Sequence, residues 1–216
     1  QVGISETTIG GRRELSNANG YFDITNLSVL ALERGATARE AIQVMGELGE
    51  TYGYKDGGEM LGVADKDEVW IFEMIGPGPL WSQGDDAPGA FWVAQRIPDG
   101  CIGGSANAPM IDVFDPEDTE NFMCAPGIKE YAIEQGWYDP ASGEEFSWRE
   151  HFMNANDPIA SGRRVWRVFT LAAPSLVGEL DEADLPVYVK PDQKLSIDDI
   201  NAIQRDHYED TEYDAR

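Results

Sequence analysis

An α+β fold is predicted by three observations: a β-like run opens the chain, two capped helical stripes follow it, and the middle then switches to short period-two runs between Gly- and Pro-rich turns before helical spacing returns. In the opening QVGISETTIGGR, Val2, Ile4 and the Thr7/Thr8 pair read as the middle of a strand that the Gly10-Gly11 turn closes. No initiator Met, basic n-region or apolar leader stands in front of it, so the run reads as an interior strand of a longer chain.

The first helix is predicted from Ile24 to Arg34, where Leu27, Leu30 and Ala31 keep helical spacing and Gly35 stops it. Thr37 stands three residues before Glu40, the pattern of a capping box, and Ala41, Val44, Met45 and Leu48 carry a second stripe to Gly53. DGGEMLGVADKDEVWIFEMIG then changes period. Met60, Leu61 and Val63, an Ala-Asp-Lys-Asp turn, and Val69 and Ile71 alternating with Trp70 and Phe72 predict a β-hairpin. GPGPLW and SQGDDAPG are too rich in Gly and Pro to be regular; AFWVAQRIP is predicted as a third strand and CIGGSANAPMI as a fourth, completing a meander.

Beyond the meander, residues 126–136 and 147–153 read as short helices separated by WYDPASGEE. A longer helix is predicted over 159–171, apolar at Val165, Val168 and Phe169, with Arg163, Arg164 and Arg167 off that stripe and Pro174 as its stop. Ser196 with Asp199 caps a last helix bearing Ile197, Ile200 and Ile203, after which HYEDTEYDAR follows with no closing signal. No repeat, low-complexity block or domain linker interrupts the chain, and residues 1–216 read as a single domain.

Composition narrows the function. The 42% hydrophobic content supports a buried core, and the net charge of −24, from 40 acids against 16 bases, repels phosphate backbones and anionic lipid. Nucleic acid and membrane are therefore not expected as partners, and no apolar run approaches the roughly 20 residues of a membrane span. Compartment stays open, with a lean to the cytoplasm. Cys101 and Cys124 are too far apart for CxxC chemistry, and the isolated His151 and His207 give no zinc pattern; the cysteines read as free thiols, with a disulfide open to them in an oxidising compartment.

No GxSxG, HExxH, P-loop or dinucleotide fingerprint is present, and GPGP offers too few N–H groups to cradle phosphate. No metal or cofactor is expected. Two residues stand out. Asn107, closing a strand-like run in SAN, is either a turn former or an amide donor aimed into a cleft. Arg164, on an apolar helix, either snorkels to solvent or waits for an anion.

The order of LALERGATAREAIQVMGELGETYGY, GGEMLGVADKDEVWIFEMIGPGPLW, FWVAQRIPDG, SAN, NFM, GWYDP and RRVWRVFTLAAPSL resembles the dipeptidase family of N-terminal-nucleophile cysteine hydrolases, related to secernins and more distantly to conjugated bile acid hydrolases and penicillin V acylases. The resemblance covers almost the whole chain. It implies a four-layer αββα sandwich, here incomplete at both ends, with residues 1–216 as the central portion of a single hydrolase domain. It also implies a nucleophilic Cys whose own free α-amine is the general base, lying upstream of Gln1, so that this segment alone is inactive.

Carried over by position, the resemblance assigns Glu6 and Thr7 to the substrate-binding and oxyanion wall, Asn107 to donation toward the tetrahedral oxyanion, and Arg164, or Arg167 one turn on, to the neighbourhood of the nucleophile. The family often follows SAN with Gln and Arg where Ala108, Pro109 and Met110 stand here, which puts a substrate contact at that turn in doubt. Dipeptides or short peptides are the implied substrates. The alternatives are a non-peptide amide acylase of the same superfamily and a non-catalytic acidic binding or assembly domain. Homo-oligomers are a further expectation, because open sheet edges would otherwise be left unpaired.

Overall fold

The computed structural model describes residues 1–154 and 158–214, so the last two residues of the acidic tail lie outside the described residues. In chain order it contains β1 (Gly3–Thr8), α1 (Ile24–Arg34), α2 (Ala38–Tyr52), β2 (Glu59–Ala64), β3 (Val69–Ile75), β4 (Phe91–Ile97), β5 (Ile102–Gly103) and β6 (Phe122–Cys124). Then follow α3 (Ile128–Glu134), α4 (Trp148–Phe152), α5 (Arg163–Ala172), β7 (Tyr188–Val189) and α6 (Ile197–Gln204). The chain divides into two compact units, Gln1–Ile97 with Asn107–Ala155, and Pro98–Ala106 with Asn156–Arg216.

The first unit is built on a five-stranded antiparallel sheet in the order β1-β2-β3-β4-β6. The helices begin where side chains can replace missing backbone partners. Asp23 accepts from the Asn26 N–H at 2.9 Å to start α1, and Thr37 accepts from the Glu40 N–H at 3.2 Å to start α2. Glu40 returns its carboxylate to the Ala36 N–H at 2.7 Å, one residue short of the capping residue, so the reciprocal bond of the expected box is displaced by one. At α6, Ser196 and Asp199 form both bonds.

The predicted fourth strand is corrected. Only Ile102–Gly103 are extended, and they pair with Tyr188–Val189 in the second unit; the strand beside β4 is Phe122–Cys124. The small residues that follow Gly103 offer no β-branched or aromatic side chain to a sheet, Asn107 turns left-handed at φ 60°, and Pro109 has no N–H to give to a ladder.

Alternation along the strands sorts side chains onto two faces. Met74 and Trp92 are directly paired and face α2, where Gly46 and Gly49 let the helix approach: a Cβ at Gly46 would lie 2.4 Å from the Trp92 ring. The Trp92 indole is fixed there by donating to Glu50 at 2.6 Å. On the opposite face Phe91 stacks with Tyr131 of α3 and Phe152 of α4, with ring centroids 4.5 and 5.3 Å apart. Both faces are therefore dry over Phe91–Ala94, which is why β4 opens on a continuous apolar run.

In the second unit, Val165, Phe169 and Ala172 of α5 are buried. Arg163 lies over the Tyr213 ring at 3.6 Å and pairs with Glu182 at 3.1 Å, while Arg167 grips both oxygens of Asp206 at 2.6 and 2.7 Å. No helix among the described residues is long and apolar enough to cross a membrane.

At the β1 edge the register puts Thr8 opposite Glu59, with Glu6 two residues along on the same face. The Thr8 hydroxyl lies 3.2 Å from Glu59 and 3.4 Å from Glu6, leaving one proton between two carboxyls. Burial, followed by the hydrogen bond and repulsion from Glu6, raises Glu59 above its ordinary value of 4.5. Folded Glu59 therefore keeps its carboxyl proton to higher pH than it does in the unfolded chain, and its contribution to stability is lost as pH rises from about 4.5 through its raised folded value.

Two expectations follow from this packing. Gly46→Ala adds a methyl group against Trp92, and the overpacking cost of about 1–3 kcal/mol is set against a helix-propensity gain of about 1 kcal/mol, so urea unfolding should show a net loss of up to about 2 kcal/mol. Glu6→Gln removes the repulsion but not the burial, so its melting temperature should fall less steeply with rising pH than that of the wild type; equal slopes would show that the two carboxyls do not interact.

Candidate functional site

The face of β1 opposite Glu6 carries Thr7, in register with Met60 of β2 and, through it, with Glu73 of β3. A segment of irregular chain, residues 107–111, is fastened along this row. At its start the Asn107 N–H donates to the Thr7 hydroxyl at 3.1 Å and the Asn107 side-chain amide donates to the Thr8 carbonyl at 2.9 Å. Asn107 is exposed and holds a left-handed backbone, a conformation that Asn tolerates better than most non-glycine residues. The residues just beyond are buried: Ala108, Met110 and Ile111 are at most 2% exposed.

At its far end the segment is fixed by Glu73, a residue with no exposed surface. One carboxylate oxygen accepts from the Met110 and Ile111 N–H groups at 2.5 and 3.1 Å, and the other accepts from the Trp148 indole at 2.8 Å. Burial pushes the Glu73 carboxyl up to about 7, with the three donors and the Arg149 guanidinium pulling against that rise. Sequence reasoning passed over Glu73. Its signal was available as the lone acid in VWIFEMI, but in a strand read as alternating it occupied an unremarkable polar position.

The expected site residues are thus partly gathered. Thr7 and Asn107 are in direct contact, whereas the side chain of Glu6 lies on the other face of β1 beside Glu59. Within the second unit, Arg164 is exposed and its guanidinium donates to the Ala160 carbonyl at 2.5 Å and the Ala106 carbonyl at 2.7 Å. Arg167, the alternative, is committed to Asp206 and to the Glu209 carbonyl at 2.8 Å. What the Asn107 turn can do chemically is present an amide N–H donor from a backbone fixed on both sides.

Other chemistry-bearing groups in the first unit are structural. The Ser147 hydroxyl contacts Asp112 and caps α4, while the His151 ring nitrogen sits 2.7 Å from the Ser147 carbonyl rather than its hydroxyl, so no serine-histidine relay forms. Cys124 is a free thiol, as is Cys101 of the second unit. Burial and the Glu50 charge push Cys124 up to about 11, far from a thiolate at neutral pH. A groove of about 750 Å³ beside Cys124 is lined by Phe114, Phe122 and Phe146 and includes none of Glu6, Thr7 or Asn107. No group of three or more metal-ligating side chains occurs among the described residues.

Comparison with known proteins gives this arrangement a setting. The chain is similar to a probable dipeptidase of Latilactobacillus sakei, 31% identical over 82% of this chain and 35% of the relative, and to one of Salmonella dublin, 31% identical over 99% of this chain and 48% of the relative. It is also similar to dipeptidase A of Lactobacillus helveticus, 32% identical over 83% of this chain and 35% of the relative. The chain thus spans between about a third and a half of the length of these relatives. The family model described as peptidase family C69 matches residues 1–216, and on that whole-length match the chain belongs to peptidase family C69.

Proposed function

We propose that the full-length protein is a dipeptidase that cleaves the amide bond of short peptides through an N-terminal cysteine nucleophile lying outside residues 1–216. The observation that carries the reading is the Asn107 turn, an amide donor held against Thr7 and Thr8 where the resemblance calls for the oxyanion donor. The dipeptidases to which the chain is similar support the substrate class. In this mechanism the cysteine α-amine takes the thiol proton, the thiolate adds to the peptide carbonyl, and negative charge develops on the carbonyl oxygen. Asn107 donates to that oxygen, the leaving amine departs with a proton, and water hydrolyses the thioester.

Neither internal cysteine fits the role of nucleophile, since a cysteine within the chain has no α-amine and Cys124 resists ionisation. Thr7 contributes to the oxyanion wall by orienting Asn107; the Glu6 side chain lies on the other face of β1, so its part in that wall falls to its backbone. Arg164 is assigned to the neighbourhood of the nucleophile, with two guanidinium N–H groups used to hold backbone carbonyls. The finer architecture belongs to the same proposal: the five-stranded sheet with α1 and α2 on one face is read as one αβ half of a four-layer αββα sandwich, residues 1–216 being the central portion of that domain.

Purified full-length protein should release free amino acids from a dipeptide panel and leave bile-salt and penicillin amides intact; the reverse preference would replace the dipeptidase reading with the acylase one. Residues 1–216 expressed alone should release nothing. In the full-length enzyme Asn107→Ala should lower kcat by about 100- to 1000-fold, the usual cost of one oxyanion donor, with little change in KM.

A further inference from the structure

We propose that Glu73 is the positioning residue for Asn107: by holding the Met110 and Ile111 N–H groups against β3, it fixes the turn from which the Asn107 amide meets the oxyanion. This rests on the oxyanion role proposed for Asn107 and adds the device that aims it.

Strand β3 does not need a carboxylate at this position. Its neighbours Phe72 and Met74 are fully buried and apolar, and an apolar residue here would avoid the desolvation cost of a buried acid. The segment 107–111 does need an acceptor. Met110 and Ile111 belong to neither helix nor strand, they are buried, and without Glu73 their N–H groups would lose the acceptor they have. One oxygen satisfies both, while the Trp148 indole occupies the second oxygen and fixes the plane of the carboxylate. Arg149, from the same helix as Trp148, supplies the nearby positive charge.

The effect reaches Asn107 because the intervening chain is short and stiff. Ala108 is 1% exposed, and Pro109 has its φ set by its ring. A shift of Met110 therefore cannot be absorbed before Asn107, whose left-handed backbone has little room to adapt. Glu73 lies three residues or more from Asn107 along the held segment and touches no substrate, so its contribution to rate comes through Asn107.

The experiment uses the full-length protein and reads both geometry and catalysis. Glu73→Gln sets an amide NH₂ against either the backbone donors or the Trp148 indole, so hydrogen exchange at the Asn107 and Ala108 amides should quicken while exchange in β2 is unchanged. In the same variant kcat should fall by about 10- to 100-fold, the scale of a displaced catalytic group, with KM within about twofold of wild type. Adding Trp148→Phe removes the indole donor that opposes the new amide and should restore part of the kcat lost in Glu73→Gln. If Glu73→Gln fails to fold, Glu73→Asp, which keeps the charge but withdraws it by one methylene, should show the same exchange and kcat changes. Unchanged exchange at Asn107 and Ala108, or wild-type kcat in a variant whose Asn107→Ala counterpart has lost activity, overturns the proposal. Faster exchange in a protein that cleaves no dipeptide overturns the dipeptidase reading and leaves the positioning role standing.

Discussion

A carboxylate sealed inside a protein has to be surrounded by donors, and in this chain that requirement falls on Glu73. Its three N–H partners come from two parts of the first unit, the 110–111 segment and α4, and both are tied to β3 through this side chain's two oxygens. Hydrophobic burial explains why the sheet and the aromatic residues Phe91, Tyr131 and Phe152 come together, but burial is non-directional and would accept many arrangements of the loop that crosses them. The carboxylate selects one. Polar geometry thus decides the path of a segment whose apolar residues alone would leave it undetermined.

This division of labour explains what could be read from the sequence. Helices α1, α2 and α6 were legible because their starts depend on neighbours: Thr37 sits three residues from Glu40, and Ser196 three from Asp199. The β2–β3 hairpin was legible for the same reason, its period-two pattern and Asp-rich turn lying within one short stretch. The last strand of the sheet was not. Phe122–Cys124 is three residues long, carries no β-branched residue, and is recruited to β4 across the whole 98–121 stretch, a choice made by tertiary packing.

The candidate site divides along the same line. Asn107 stood out because an Asn between small residues before a proline marks a turn, whereas Thr7 entered only through the family resemblance. Their hydrogen bond joins residues one hundred positions apart, and no local pattern encodes it. Glu73 was missed for a related reason: an acid in a strand is ordinary when one face is wet, and its neighbours do not reveal that both faces of β3 are dry at this point. Arg164 stood out as a cation on an apolar helix, but of the two carbonyls it holds only that of Ala160 is a sequence neighbour, and that of Ala106 lies 58 positions away.

The segment from Asn107 to Met110 is also a ruler. Thr7 and Glu73 stand two strands apart in one row, a distance of about 10 Å at roughly 4.8 Å per strand. Three residues of extended chain cover about 10 Å as well. Two residues of chain reach only about 7 Å even when extended, so deleting a single residue here would leave one anchor out of reach even if every anchoring side chain were retained. Substitution is tolerable at positions such as Ala108 if the replacement is small, but a deletion is not. Among related chains, the number of residues between this Asn and the donors of the buried carboxylate should vary less than their identity.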